Sequence, residues 1–248
     1  MPGVRNLHAT SSWTRLGGSV QETIGQMDLG VPLIDYGPVD ARALRDTMLA
    51  QPPEFWEMDS ASRTKVAGTR PGNAVFLYNP MPPMVRRMIL AEAQSGHVSV
   101  LRYRDRPLFR EVQDLIDRFV QPLFPDCDPI WAQLAELPPG GEIAPHSDRH
   151  ILAAVHRLHV PLITHDEVEF LVGGETFHLK PDILYDLNNV VTHSVTNRSG
   201  IMRIHLLVDM MPHSLARTRY FDDEQEMAAA VSACALPPGL PIQPGHYQ

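Results

Sequence analysis

Cysteine is scarce in this chain. The 248 residues hold two, Cys127 and Cys234, and no Cys-x-x-Cys pair. That excludes a disulfide framework and a thiolate zinc site, leaving room for at most one bridge. Such usage fits a reducing compartment, so the expected location is cytoplasmic. Long apolar runs are missing as well. No uninterrupted stretch approaches the ~18 residues of a membrane span, and the opening MPGVRNLHATSSWTRLGG lacks the apolar segment of a secretory leader. Excess positive charge is the third absence. The formal net charge is −8 and the pI about 5.8. Nucleic acid and anionic membranes are therefore not expected partners.

Proline is what the chain has in quantity. Twenty-three prolines predict many turns and short elements, and they exclude a helical bundle. Apolar residues make up 44% and charged residues 20%, the composition of a globular protein with one sizeable core. No repeat and no sharp break in composition appears, so residues 1–248 read as a single domain. Residues 1–125 form a helical or irregular N-terminal part, 126–212 a β core, and 213–248 a helix and a Pro/Gly-rich tail.

Residues 1–30 read as irregular lead-in or an edge strand, and 53–80 show no clear period. PVDARALRDTML (38–49) reads as a short amphipathic helix with Asp40 as its cap. MVRRMILAEAQSG (84–96) reads as a helix ended by Gly96. LFREVQDLIDRFVQPLF (108–124) reads as the strongest helix, with Val112, Leu115, Ile116, Phe119 and Val120 on one face. From residue 130 the period becomes two. IWAQLAEL, EIAPH, AVHRLHVPLI, VEFLV, ETFHL, ILYDL, VVTHSV and IMRIHLLVDM follow as short runs separated by turns. VGGE (172–175) is a two-glycine hairpin signal. The expected fold is mainly β: a sandwich or jelly-roll barrel buttressed by N-terminal helices.

His146-Ser147-Asp148 follows a Pro-Pro-Gly-Gly turn. With 12 histidines and 29 acidic residues, about one His-x-Asp/Glu arises by chance, so the triplet alone says little. Its setting says more. On a strand, His146 and Asp148 point to one side, and His193 lies on a later strand. Two histidines and one carboxylate make a facial triad with open positions, the donor set of non-haem Fe(II) oxygenases. A second triplet, His165-Asp166-Glu167, lies in a polar turn and reads as solvated surface. His150, four residues after His146, would suggest zinc only on a helix.

Arg203 stands in an apolar strand, sharing a face with His205 and Leu207. A buried arginine needs a negative partner, either a bound carboxylate or a structural acid. Arg157 and His159 share a face of their strand in the same way and could point inward together, or form a buried polar network that braces the barrel. Asn188 and Asn189 read as turn residues or as hydrogen-bonding neighbours of the site. Gln133 is a weak candidate for substrate contact beside Trp131.

LPPGGEIAPHSD, HRLHVPL, YDLNNVVTHSVTN and MRIHLLVDMMP, in this order over residues 131–212, resemble the aspartyl/asparaginyl β-hydroxylase-like branch of the Fe(II)/2-oxoglutarate-dependent dioxygenases. The resemblance implies a double-stranded β-helix with iron held by His146, Asp148 and His193. It implies Arg203 on the distal carboxylate of 2-oxoglutarate, with Arg157 and His159 as the Arg-x-His that helps bind it. It also implies O2 as oxidant and hydroxylation of an amino acid or a residue in a small peptide. Animal members have glycine where this chain has Asp148. The chain therefore looks closer to the bacterial proline-hydroxylase type, and Asp148 argues against halogenation. Desaturation or cyclisation at the same centre, a cupin-like binding module and a zinc hydrolase are the competing expectations.

Overall fold

The computed structural model describes residues 27–57, 74–78, 107–148 and 150–212. The helices expected over 84–96 and 213–235 lie outside the described residues, as does the C-terminal tail. The element order is β1 (Leu33–Pro38), α1 (Arg42–Leu49), a 3-10 turn (Pro53–Glu57), β2 (Ala74–Tyr78) and α2 (Phe109–Leu115), which runs into a π-helical turn (Ile116–Val120). Then come β3 (Cys127–Leu137), β4 (Glu142–His146), a 3-10 turn (His150–Ala154), β5 (His156–Ile163), β6 (Val168–Val172), β7 (Glu175–Phe177), β8 (Ile183–Leu187), β9 (His193–Asn197) and β10 (Arg203–Pro212).

Two antiparallel sheets face each other. The larger has the order β1-β8-β5-β10-β3-β2 and the smaller β4-β9-β6-β7. From β3 to β10 the chain crosses between sheets at every connection except the β6–β7 hairpin. This is the jelly-roll winding expected from the sequence. The hairpin turns at Gly173 and Gly174, both at positive φ (59° and 90°), with Val172 opposite Glu175. Positive φ at both turn positions is what a tight two-residue hairpin requires, and glycine adopts it without strain.

The period-two pattern of β5 and β10 separates two interiors. Leu158 and Val160 on β5, with Ile204, Leu206, Val208 and Met210 on β10, join Leu44, Met48, Val112, Ile116 and Val120 of the helical layer. The opposite face of the large sheet looks into the barrel. There Leu137, Tyr185 and Leu187 meet Val168, Phe170, Val172 and Val195 of the small sheet. The barrel interior is thus lined by alternate residues of strands whose other residues bury the helices.

Four boundaries differ from the sequence-based expectation, each for a physical reason. β1 forms just after the expected lead-in, where no element is expected, and β2 forms within 53–80, which shows no period. β1 is an edge strand whose register shifts between Asp35 and Gly37, so its alternation is broken by a bulge. β2 is the five-residue apolar run Ala-Val-Phe-Leu-Tyr, which carries no alternation to read. The helix expected over 108–124 stops at Val120, before Pro122, which cannot continue the ladder. Asp40 accepts the N–H of Arg42, the first residue of α1, at 3.3 Å, but from one position before the cap. Ala41 occupies the cap position itself without a side-chain bond, while Asp40 also accepts two 2.9 Å bonds from the Arg42 guanidinium.

Candidate metal centre

β4 and β9 are neighbouring antiparallel strands, and His146 and His193 are partners across them. Their rings lie 4.2 Å apart, centroid to centroid. Each ring is oriented the same way. His146 Nδ1 lies 2.8 Å from the Ala144 carbonyl oxygen, and His193 Nδ1 lies 2.9 Å from that of Val191. An Nδ1–H donated to a carbonyl leaves the Nε2 lone pair free for a metal ion. Burial holds His193 below the usual histidine range, which favours the neutral form that ligates.

Asp148 joins them by another route than strand periodicity. β4 ends at His146, and Asp148 lies in the loop beyond, nearly buried. Asn189 sets that loop. Its carbonyl accepts the Asp148 N–H at 2.8 Å. Its amide donates to Asp148 Oδ2 at 3.3 Å and to the Leu152 carbonyl. Arg157 Nη1 meets the same Oδ2 at 2.9 Å. Oδ1 is thereby left toward His146, 3.9 Å from Nε2. One ligand atom from each of His146, Asp148 and His193 lies within 4.8 Å of the others. Two neutral imidazoles and a carboxylate with one oriented oxygen suit a borderline divalent ion such as Fe(II).

Arg157 is itself held from the far side. Its Nε and Nη2 donate to the two carboxylate oxygens of buried Asp209 at 3.0 and 2.9 Å, its partner across β5 and β10. Sequence reading passed over Asp209. The signal was available: it is an acid inside the apolar run LLVDMM, the same anomaly that marks Arg203.

Arg203 is only 2% exposed, yet among the described residues its Nε has no hydrogen-bond partner and no carboxylate pairs with it. Its guanidinium carbon lies 5.2 Å from the centre of the Phe170 ring. Burial pushes its pKa down to about 9, so it stays cationic at neutral pH. His159 and His205 line the same region, and burial with the charge of Arg203 holds both well below the usual histidine range.

The remaining candidates fall elsewhere. His165 is half-exposed and accepts the Glu167 N–H at 3.1 Å within its turn. Asn188 fastens the segment before β1, donating to Asp28 at 2.8 Å and to the Val31 carbonyl at 3.1 Å. Gln133 is half-buried on β3 opposite Leu207. The side chains of Trp131 and His150 lie outside the described residues. An open cleft of about 580 Å3 between α1 and α2 is lined by exposed charges of both signs and lies on the helical layer, away from the histidines.

Residues 105–212 match the family described as Aspartyl/Asparaginyl beta-hydroxylase. No curated protein matches the chain. Similar solved structures include a Pseudomonas putida prolyl-4-hydroxylase, 14% identical over 73% of this chain and 93% of that one, with a TM-score of 0.42. A 2-oxoglutarate-Fe(II) oxygenase family oxidoreductase from Burkholderia pseudomallei is 13% identical over 63% of this chain and 78% of its own, with a TM-score of 0.45. No helix among the described residues is long and apolar enough to cross a membrane. Over residues 105–212, less than half of its length, the chain is thus similar to the aspartyl/asparaginyl β-hydroxylases.

Proposed function

We propose that His146, Asp148 and His193 hold the iron, and that Arg203 anchors the distal carboxylate of 2-oxoglutarate, with His159 on the same wall. Arg157 belongs to the cosubstrate end only through Asp148, because Asp209 and Asp148 already take its guanidinium edges. The substrate is an amino acid or a residue in a small peptide, and the reaction is hydroxylation of an unactivated C–H. The family description supports the substrate class. Asp148 supports a centre of the bacterial proline-hydroxylase type.

One observation carries the reading. Three metal-ligand atoms converge within 4.8 Å, and the same barrel buries an arginine with no carboxylate partner among the described residues. A buried cation without a counter-charge is costly, and a dicarboxylate cosubstrate supplies that charge. A binding module for a neutral ligand, or a hydrolase needing no acidic cosubstrate, leaves Arg203 unexplained.

Bound iron, 2-oxoglutarate and O2 supply the oxidising chemistry: decarboxylation of the keto acid coupled to oxidation of a C–H bond. The chain's part is positioning. The two Nδ1 contacts fix the imidazole planes. Arg157 and Asn189 occupy Oδ2 of Asp148 and hold the carboxylate in one orientation. Arg203 provides a fixed, desolvated positive charge deep in the barrel.

Anaerobic titration tests this. Fe(II) is added to the metal-free protein, then 2-oxoglutarate, while the weak visible band of an iron-chelated keto acid is followed. A band that His193→Ala abolishes supports the assignment. Folded, iron-loaded protein without a band rejects it, and activation of the protein by zinc would favour a hydrolase.

A further inference from the structure

Five buried side-chain atoms lack a hydrogen-bond partner among the described residues. Two of them, Arg203 Nε and His205 Nε2, sit two positions apart on the barrel-facing side of β10. Both residues also pack on one ring: the Arg203 guanidinium lies 5.2 Å from the centroid of Phe170, and the His205 imidazole stacks on it at 5.4 Å and 14°. Phe170 belongs to the opposite sheet, so the cluster spans the barrel.

The other nitrogen of His205 is not free. Its Nδ1 lies 3.5 Å from Nδ1 of His159. Two facing Nδ1 atoms form a hydrogen bond only if one carries a proton and the other does not. The pair thus has two arrangements. In one, His205 presents Nε2–H and His159 a bare Nε2; in the other the roles reverse. Arg203 makes this end of the barrel electropositive, and an anion bound there selects the first arrangement, in which the buried Nε2 of His205 is a donor.

We infer that His205 is a second anchor for the distal carboxylate of the cosubstrate, donating from Nε2 beside the Arg203 guanidinium. This rests on the oxygenase reading above. It gives His159 a defined role too: its Nδ1–H fixes the tautomer of His205, which makes it a positioning residue. A purely structural histidine at 0% exposure would be expected to have both ring nitrogens satisfied within the protein. Among the described residues His205 has one satisfied and one left over, next to a cation in the same condition.

The test measures the dissociation constants of Fe(II), then of 2-oxoglutarate, anaerobically, for the wild type, His205→Leu and His205→Gln. Leucine keeps the volume and removes the donor; the glutamine amide reaches the position of Nε2. His205→Leu is expected to weaken 2-oxoglutarate binding about tenfold, the size of one hydrogen bond to a charged group, with the Fe(II) constant unchanged. His205→Gln is expected to restore most of the loss. Unchanged 2-oxoglutarate binding in His205→Leu, or equal losses in both variants, overturns the inference and leaves the oxygenase reading standing. No 2-oxoglutarate band in the wild type removes both. If His205→Leu does not fold, 15N-histidine NMR of the wild type, with Zn(II) in place of iron, decides. A protonated His205 Nε2 whose resonance moves on adding 2-oxoglutarate supports the inference, and an unmoved one overturns it.

Discussion

The two ends of the barrel interior are built on opposite plans. At the His146–Asp148–His193 end the polar groups are tied into the protein. Each imidazole meets a carbonyl, Asp148 is held by Arg157 and Asn189, and Arg157 is held by Asp209. At the Arg203 end a cation and a histidine are buried with nitrogens that no described residue satisfies. A finished network fixes ligand atoms before a metal arrives. An unfinished one gains its missing partner from the ligand and is unfavourable without it. The comparison separates what the fold organises in advance from what the proposed cosubstrate would complete.

The largest way to break it is at the finished end. His193→Ala removes a proposed iron ligand and is expected to abolish turnover while the protein stays folded; residual activity at the wild-type level would reject the triad. At the unfinished end, Arg203→Ala is expected to weaken 2-oxoglutarate binding by about 2–5 kcal/mol, the range for unpairing a buried charge, seen as a raised 2-oxoglutarate KM. Arg203→Met should leave the ligand-free protein as stable as the wild type or more so, because it removes a buried charge that no described residue pairs. Chemical denaturation reads this, and a clear loss of stability would mean that Arg203 has a partner in the fold.

Asp209→Ala should behave in the opposite sense. It strips Arg157 of its bidentate partner and is expected to cost about 3 kcal/mol of stability, at the low end for broken buried pairs because Asp148 still holds Nη1. Stability equal to the wild type would show that the brace contributes nothing. Asn189→Ala is a smaller perturbation. Losing its bonds to Asp148 and Leu152 should cost about 1–3 kcal/mol and weaken Fe(II) binding roughly 10–100-fold, as read by a competing chelator.

A probe that needs no substitution is pH. His159 and His205 are held below the ordinary value of 6.5 in the folded protein. Above about pH 6.5 both states are neutral at these rings and stability does not depend on them. Below it the unfolded chain binds protons that the folded chain refuses, so stability falls as pH falls, by about 1.4 kcal/mol per pH unit for each ring. Saturating 2-oxoglutarate should raise the whole curve by linkage. A melting temperature flat from pH 7 to 5 would mean that these rings are not held neutral by burial.

The two ends were not equally legible in the sequence. VGGE and the alternating runs from residue 130 made the strands and the β6–β7 turn readable, because each rests on a local rule of backbone conformation. Arg203 stood out because a charge in an apolar strand is anomalous wherever the strand packs. The facial triad could be assembled as a set of residue types, but the reason given for Asp148, shared strand side with His146, is not the one the fold uses. Asn189 holds that carboxylate from 41 residues away in sequence. β1 and β2 escaped because a bulge and a uniformly apolar run leave no alternation to detect.

The sequence by itself determined the alternation of β5 and β10, and therefore that Arg157 and His159, and Arg203 and His205, each share a face. Side-chain period along a strand is a property of the chain alone. Tertiary structure decided which charges find partners. Arg157 meets Asp209 because β5 and β10 pair in that register, and Arg203 has Phe170 against it because the two sheets close over each other. Pairing and burial depend on which strands are neighbours, and that choice is made by long-range packing, which no local pattern records.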